Sequence, residues 1–192
     1  MNMTETIDEQ IQVSQRNSIS LQFARVAATQ HDTVALQYQD RDWTYAQLDL
    51  AITATAVRLR QLDLQQGDRV AVMGKNSDTF LMLFLAASRA GLVHVPINFA
   101  LTGPELEYLV TDSQASVLIV DDEYITTVES ISDSTELKHV VGMASMREHI
   151  DAEIGNNEYL RDLAVEHSLE PVDEPDLAQL LYTSGTTSAP KG

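Results

Sequence analysis

Hydroxyl side chains are concentrated in one short segment near the end of the sequence. From Tyr182 to Ser188 six of the seven residues carry a hydroxyl, and the seventh is Gly185. Glycine permits backbone conformations that turn several N–H groups inward, and such a loop can surround an anion. Lys191 adds a positive charge, and it is the only lysine or arginine after Arg161. The segment therefore indicates a site for a chain of phosphate groups.

Two other interpretations of this segment were weighed from its residues. A Walker A loop is excluded, because that motif has glycine directly before its lysine and a hydroxyl residue after it, whereas Pro190 precedes Lys191 and Gly192 follows it. A surface loop rich in serine, threonine and glycine fits the pattern about as well as a phosphate site does, because such loops are common.

The elements that must position this segment are short apolar runs that alternate with helical patterns. Strands separated by helices predict right-handed βαβ units, and continuous apolar runs suit a parallel sheet covered on both faces. We therefore predict an α/β fold with a mostly parallel sheet flanked by helices. The predicted strands are 69–73, 92–97, 117–120 and 138–142, a hairpin is predicted over 34–44, and helices are predicted over 18–30 and 79–90 and after residues 44 and 102.

Two of the predicted helices begin with the pattern of a capping box. In this motif a threonine and a glutamine or glutamate three residues later satisfy each other's backbone N–H groups. Thr44 with Gln47 and Thr102 with Glu105 both have this spacing. The pattern predicts a helix directly after each threonine.

Composition excludes several classes of protein. Twelve basic residues face twenty-nine acidic ones in 192, for a net charge of −17, and there is no cysteine. Nucleic acids and anionic lipids bind clustered lysine and arginine, which this chain lacks. The longest apolar run, 80–87, is far shorter than the roughly 20 residues of a membrane span, and residues 1–10 lack the features of a signal peptide. We expect a soluble, cytoplasmic protein that binds no nucleic acid and has no transmembrane segment.

Residues 182–192 closely resemble the phosphate-binding signature of the adenylate-forming superfamily. That superfamily includes acyl-CoA synthetases, the adenylation domains of peptide synthetases and firefly luciferase. Three upstream stretches are similar to it too: residues 43–48 resemble W-T-Y-x-x-L, residues 67–72 resemble G-D-R-V-A, and residues 90–102 resemble A-G-x-x-x-V-P-x-N followed by L-T. The resemblance runs from about residue 18 to the end and is weakest between 122 and 176. We expect the upstream stretches to be scaffold.

The resemblance implies the N-terminal portion of an ATP-dependent, AMP-forming acyl-CoA synthetase of the fatty acid-CoA ligase kind. Such an enzyme activates a carboxylate as an acyl-adenylate, with ATP and Mg²⁺, and transfers the acyl group to CoA. The fatty-acid preference rests on the similarity of residues 95–102 to the family. An adenylation domain that acylates a carrier protein, and a non-catalytic truncated product, remain open. The residues implied in binding the ATP phosphates are Thr183, Ser184, Gly185, Thr186, Thr187 and Lys191.

The resemblance also implies a division of the chain and an incomplete active site. Residues 1–17 are expected to be a flexible N-terminus, and 18–192 part of an AMP-binding domain with a connector at 166–176 and the phosphate loop at 182–192. Ser188 stands where the family usually has glycine, which costs about 1–2 kcal/mol if that position needs a left-handed backbone. The family's adenine, magnesium, ribose and C-terminal lysine elements come later, so we expect no catalytic residue here and no activity from this chain alone.

Other groups that could do chemistry are assigned to structural roles. The five histidines lack metal-ligand spacing, so no metal site is expected. The carboxylates at 121–123 are expected to cap the next helix, and residues 73–76 to form a strand-to-helix turn. Ser184 lacks the context of a hydrolase nucleophile.

Overall fold

The computed structural model describes residues 19–132, 135–154 and 177–183. The predicted strands and the predicted helices 18–30 and 79–90 are present, with boundaries within two residues of the predicted ones, whereas the helix Met143–Glu153 is not predicted from the sequence. The elements, in chain order, are α1 (Ile19–Thr29), β1 (Val34–Tyr38), β2 (Arg41–Thr44), α2 (Tyr45–Arg60), β3 (Arg69–Met73), α3 (Asp78–Arg89), β4 (Val93–Ile97), α4 (Gly103–Asp112), β5 (Ala115–Val120), a 3₁₀ turn (Asp122–Tyr124), α5 (Ile125–Ser132), β6 (His139–Gly142) and α6 (Met143–Glu153).

The main sheet has four parallel strands in the order β4-β3-β5-β6. Residues 177–183 extend it beyond β4: the His94 N–H donates to the Ala178 carbonyl at 3.0 Å, and the Leu180 N–H donates to the His94 carbonyl at 2.9 Å. The bridge between His94 and Gln179 is also parallel. The chain leaves β3 toward β4 and then crosses to β5 on the other side, so its direction reverses at the carboxyl ends of β3 and β5. Ligands of open α/β sheets bind at such a reversal or beside it.

Both faces of the sheet are buried, as the continuous apolar runs predict. Alternate side chains of β3, such as Val70 and Val72, pack with α2, α3 and α6 in one cluster. The residues between them, Ala71 and Met73, pack with α4 and α5 in the other. Side chains alternate between the two faces of a strand. A strand that is buried on both faces therefore needs apolar side chains at successive positions. Among the described residues no helix is both long enough and apolar enough to cross a bilayer.

Only one of the two predicted capping boxes forms. At the start of α2 the Gln47 N–H donates to Thr44 Oγ1 at 3.2 Å, and the Thr44 N–H donates to Gln47 Oε1 at 3.0 Å. The prediction for Thr102 is wrong, because its side chain makes no capping hydrogen bond at the start of α4. Gly103 follows with a φ of +51°, so the backbone enters this helix in a conformation that carries the Thr102 side chain away from the first-turn N–H groups.

This difference predicts unequal effects for two identical substitutions. Thr44→Ala should lower the free energy of unfolding by about 1 kcal/mol, because it removes the cap of α2. Thr102→Ala is the matched control and should have a much smaller effect, since no cap is lost. Denaturant unfolding followed by circular dichroism measures both, and equal losses would contradict the observed cap geometry.

Candidate functional site at the carboxyl edge of the sheet

The segment 177–183 carries the chain to the carboxyl edge of the sheet. Gln179 lies opposite His94 in a parallel pairing, so the segment runs in the same direction as β4, which ends at Ile97. Thr183 is the last residue of the described segment. Its side chain is exposed. In parallel sheets this edge is where loops bind ligands.

The side chains of the segment alternate between a buried and an exposed face. Leu180 and Tyr182 pack into the core cluster on the α4 and α5 side, whereas Leu177 and Leu181 are 57% and 59% exposed. This pattern anchors the segment by one face. It fixes the point from which the hydroxyl-rich loop departs.

Tyr182 belongs to the scaffold rather than to the cluster of loop hydroxyls. Its Oη donates to Asp112 Oδ2 at 2.7 Å. Burial raises the pKa of the Tyr182 phenol well above its usual value, and the hydrogen bond to the Asp112 carboxylate raises it further. The phenol thus stays protonated and ties the segment to the end of α4.

The loops after β3 and β5 lie at the same edge and carry paired charges. Lys75 Nζ lies 2.7 Å from Glu123 Oε1. The hydrogen bond and the charge of Glu123 raise the pKa of Lys75, and Lys75 lowers the pKa of Glu123 in turn. The predicted turn at 73–76 is confirmed.

The carboxylates at 121–123 lie at the start of the helix that follows them, as predicted, but the expected cap does not form through Asp121. The helix begins through a 3₁₀ turn, and the Asp121 side chain makes no capping bond to it. Asp121 Oδ2 instead accepts from the Lys75 N–H at 3.4 Å, and Asp122 Oδ1 accepts from the Ala144 N–H at 3.4 Å. These carboxylates connect the loop after β5 to the loop after β3 and to the start of α6.

A buried carboxylate, Asp78, is the main polar centre of this edge. It is 1% exposed. Arg41 Nη2 donates to its Oδ1 at 2.9 Å, while Arg147 Nη1 and Trp43 Nε1 donate to its Oδ2 at 2.7 and 3.1 Å. The Thr79 N–H donates to Oδ1 at 2.9 Å. Desolvation raises the pKa of Asp78, but the hydrogen bonds and charge of Arg147, with the bonds from Trp43 and Thr79, outweigh it and leave the pKa below its usual value.

A cavity of about 350 Å³ lies over this network, beside the point where the chain direction reverses. Its lining cations are all held by carboxylates: Arg41 and Arg147 by Asp78, and Lys75 by Glu123. Each positive charge that lines the cavity therefore already has a carboxylate partner within the chain.

Comparison with known proteins identifies the family of this chain. The sequence pattern of the AMP-binding enzymes matches residues 23–192. The chain belongs to the AMP-binding enzyme family. That family contains the adenylate-forming ligases whose signature residues 182–192 resemble.

Several relatives of this AMP-binding chain are ligases. It is 35% identical over 168 residues to a feruloyl-CoA synthase of Amycolatopsis sp, covering 88% of the chain and 31% of the relative. It is 33% identical over 170 residues to the fatty acid–[acyl-carrier-protein] ligase ScoC of Streptomyces coeruleorubidus, covering 85% and 30%. Its fold matches the Mycobacterium tuberculosis fatty acyl CoA synthetase with a TM-score of 0.72 and 27% identity, covering 91% and 34%. The chain spans about a third of the length of these proteins.

The predicted site residues of the AMP-binding chain are only partly within the described structure. Thr183 is placed at the carboxyl edge of the sheet. The other five predicted phosphate ligands, together with Ser188, the N-terminus 1–17 and the connector 166–176, lie outside the described residues. Among the residues that the structure describes, no group of three histidine, aspartate or glutamate side chains is arranged to hold a metal.

Sequence reasoning missed the Asp78 network. Ser77 caps α3, and its Oγ accepts from the Phe80 N–H at 3.1 Å. Asp78, however, binds side chains 35, 37 and 69 residues away. The available signal was an acidic residue at a helix start, but nothing in the sequence pairs it with Arg41 or Arg147.

Proposed function

We propose that this chain is the phosphate-binding part of an ATP-dependent, AMP-forming acyl-CoA synthetase that acts on a fatty acid-like carboxylate. One observation supports the proposal: residues 178–180 pair in parallel with β4 at His94, so the segment that precedes the hydroxyl-rich residues runs in the direction of the carboxyl edge of the sheet. The anchoring of Tyr182 by Asp112 supports it, because a loop that grips phosphates needs a rigid base. A cytoplasmic location, indicated by composition, belongs to the same proposal.

The proposed chemistry of the loop is electrostatic. Backbone N–H groups and hydroxyls of the loop would hold the β- and γ-phosphates while Lys191 offsets their negative charge. In a chain of net charge −17 an anion needs such a local site, because the overall charge repels it. Bound Mg²⁺ would further neutralise the pyrophosphate that leaves. The proposed ligands of the phosphates are Thr183, Ser184, Gly185, Thr186, Thr187 and Lys191.

The acyl acceptor divides the proposal into two candidates. CoA is the acceptor in our main proposal, in line with the feruloyl-CoA synthase that is 35% identical to the chain. A carrier protein is the alternative acceptor, favoured by the ligase ScoC, whose name specifies an acyl-carrier protein. Both candidates share the first half-reaction, in which the carboxylate attacks the α-phosphate of ATP and releases pyrophosphate.

Carboxylate-dependent exchange between ATP and pyrophosphate tests the shared half-reaction. By resemblance to the family, the segments that bind adenine, ribose and magnesium are not among residues 1–192. We therefore expect no exchange from the 192-residue chain. A form of the chain extended by the later family segments should exchange with at least one acid from a panel of fatty and aromatic carboxylates. Thioester formation with CoA or with an acyl-carrier protein then identifies the acceptor.

A loop variant makes this test specific. In the exchange-competent form, Lys191→Ala should lower the exchange rate by about 10²-fold or more, because a preorganised positive group facing the phosphates is lost. Lys138→Ala is the matched control: this exposed lysine precedes β6 at the amino edge of the sheet, near Asp68, and its loss should leave the rate almost unchanged. Exchange by the 192-residue chain would refute its incompleteness, and a long form inactive with every acid would refute the synthetase.

A further inference from the structure

The residue directly before the proposed phosphate ligands is held by a side chain from a distant helix. Tyr182 precedes Thr183, the first of those ligands, and its Oη donates to Asp112 Oδ2 at 2.7 Å. The Tyr182 ring packs against the apolar cluster on the α4 and α5 side of the sheet. The packing fixes where the ring lies, and the hydrogen bond limits how far its hydroxyl end can move.

Asp112 itself belongs to a rigid part of the chain. It is the last residue of α4, and its neighbours Leu109, Val110 and Ser113 are at most 3% exposed. The Ser113 N–H donates to the Leu109 carbonyl at 3.0 Å, and Ser113 Oγ donates to the Val110 carbonyl at 3.2 Å. These bonds close the end of the helix just before β5 begins at Ala115. The carboxylate therefore projects from a helix end that is fixed to the central sheet.

A carboxylate at this position is unfavourable on local grounds. The carboxyl end of a helix carries a partial negative charge and favours cations over anions, but α4 has no basic residue in its last turn. Among the ion pairs of the described residues, none includes Asp112. Residues that conflict with their local surroundings are expected at functional positions. The gain that the structure shows for Asp112 is its hydrogen bond with Tyr182.

We infer that Asp112 is a positioning residue for the phosphate loop: through Tyr182 it holds the start of the loop in the conformation that binds the β- and γ-phosphates of ATP. Asp112 acts on the loop through the phenol and contacts no substrate. Without the hydrogen bond the loop is ordered only when the phosphates bind, and the entropy lost in that ordering weakens ATP binding. The inference rests on the proposed function and adds to it a residue of α4, outside the loop.

Exchange between ATP and pyrophosphate tests the inference in the form of the chain extended by the later family segments. Asp112→Ala and Tyr182→Phe each remove one partner of the hydrogen bond. Each should raise the KM for ATP about 3- to 10-fold, the range that one hydrogen bond supplies. We expect kcat and the KM for the acid to change less than about 2-fold, because a binding interaction shared by the ground state and the transition state affects the KM of its own substrate.

Three further variants establish the route of the effect. Asp112→Asn keeps an oxygen that accepts from the phenol and should retain nearly the native KM for ATP. Asp112→Ala combined with Tyr182→Phe should raise that KM no further than either change alone, because both act on one hydrogen bond. Glu105→Ala is the matched control: it removes a negative charge from the exposed first turn of the same helix and should leave the KM unchanged.

Several results would overturn the inference. A lower kcat at an unchanged KM for ATP would show only a loss of folded molecules, and effects that add in the double variant would separate Asp112 from Tyr182. Tyr182→Phe keeps the ring in the core, so it decides the question even if Asp112→Ala does not fold. Native exchange with an unchanged KM in both single variants would refute this inference alone. An extended native form that exchanges with no acid would refute the proposed function, and the inference with it.

Discussion

Asp78→Ala should lower the free energy of unfolding by about 3–5 kcal/mol. The loss arises because Arg41 would keep its charge without the buried carboxylate that now neutralises it. Arg147, whose side chain is only 16% exposed, would keep only its pair with the half-exposed Asp151. Trp43 Nε1 would also lose its acceptor.

The expected loss is large because Asp78 joins elements that are distant in sequence. Arg41 and Trp43 belong to β2, Arg147 belongs to α6, and Asp78 begins α3. The Arg147 guanidinium also lies over the Trp43 ring at 5.0 Å. Removal of the carboxylate therefore loosens the hairpin and α6 together, and we expect the cooperativity of unfolding to fall as well.

Urea unfolding measures this prediction, with Glu123→Ala as the matched control. Glu123 also pairs with a cation at 2.7 Å, but both side chains are half exposed, and exposed pairs contribute little. The control should therefore unfold close to the native chain. Equal free energies of unfolding for Asp78→Ala and Glu123→Ala would contradict the claim that burial makes the Asp78 network stabilising.

Lowering the pH should destabilise the chain through His94. Its pKa is about 4 in the folded state and about 6.5 in an unfolded chain. Between these values the unfolded state binds the additional proton, so stability rises with pH and is lost as the pH falls from about 6.5 toward 4. The His94 contribution to the loss should be about 2 kcal/mol between about pH 7.5 and about pH 5. His149, whose pKa burial also lowers, adds a change of the same sign.

His94→Phe isolates the contribution of His94, because phenylalanine does not titrate. Unfolding free energies of the native chain and the variant, each measured at the two pH values, should differ in pH dependence by about 2 kcal/mol. Val95→Ala is the control: it removes buried apolar volume next to His94 in β4 without changing any titratable group. It should be less stable than the native chain at both pH values and show the native pH dependence. A native-like pH dependence in His94→Phe would contradict the prediction.

Local patterns predicted the elements of this protein well, because they depend on neighbouring residues. The continuous apolar runs of β3 and β5 require cover on both faces, and the structure provides it. The same locality explains the failure at Thr102. Its spacing to Glu105 matches that of Thr44 and Gln47, but the conformation of Gly103 decides whether the side chain reaches the helix. A spacing rule does not contain that information.

The sequence predicted which residues belong to the candidate site but not how they are arranged in space. The hydroxyls, Gly185 and Lys191 are visible in the sequence because phosphate binding draws on a few residue types within one loop. In the sequence Tyr182 is one of these hydroxyl residues, but in the structure its hydroxyl donates a hydrogen bond to Asp112. The partner is 70 residues away, and only the packing of the segment against α4 brings the two together.

The sequence by itself determined the family, the α/β class, the order of strands and helices, and the segment that most resembles a phosphate loop. The tertiary structure alone decided that Gln179 lies beside His94, that Asp78 binds two arginines, and that Tyr182 is tied to Asp112. The division has one physical reason. Hydrophobic periodicity and turn preferences depend on residues that are close in sequence. The order of the strands within the sheet, buried ion pairs and cavities arise from contacts that form only when distant elements pack.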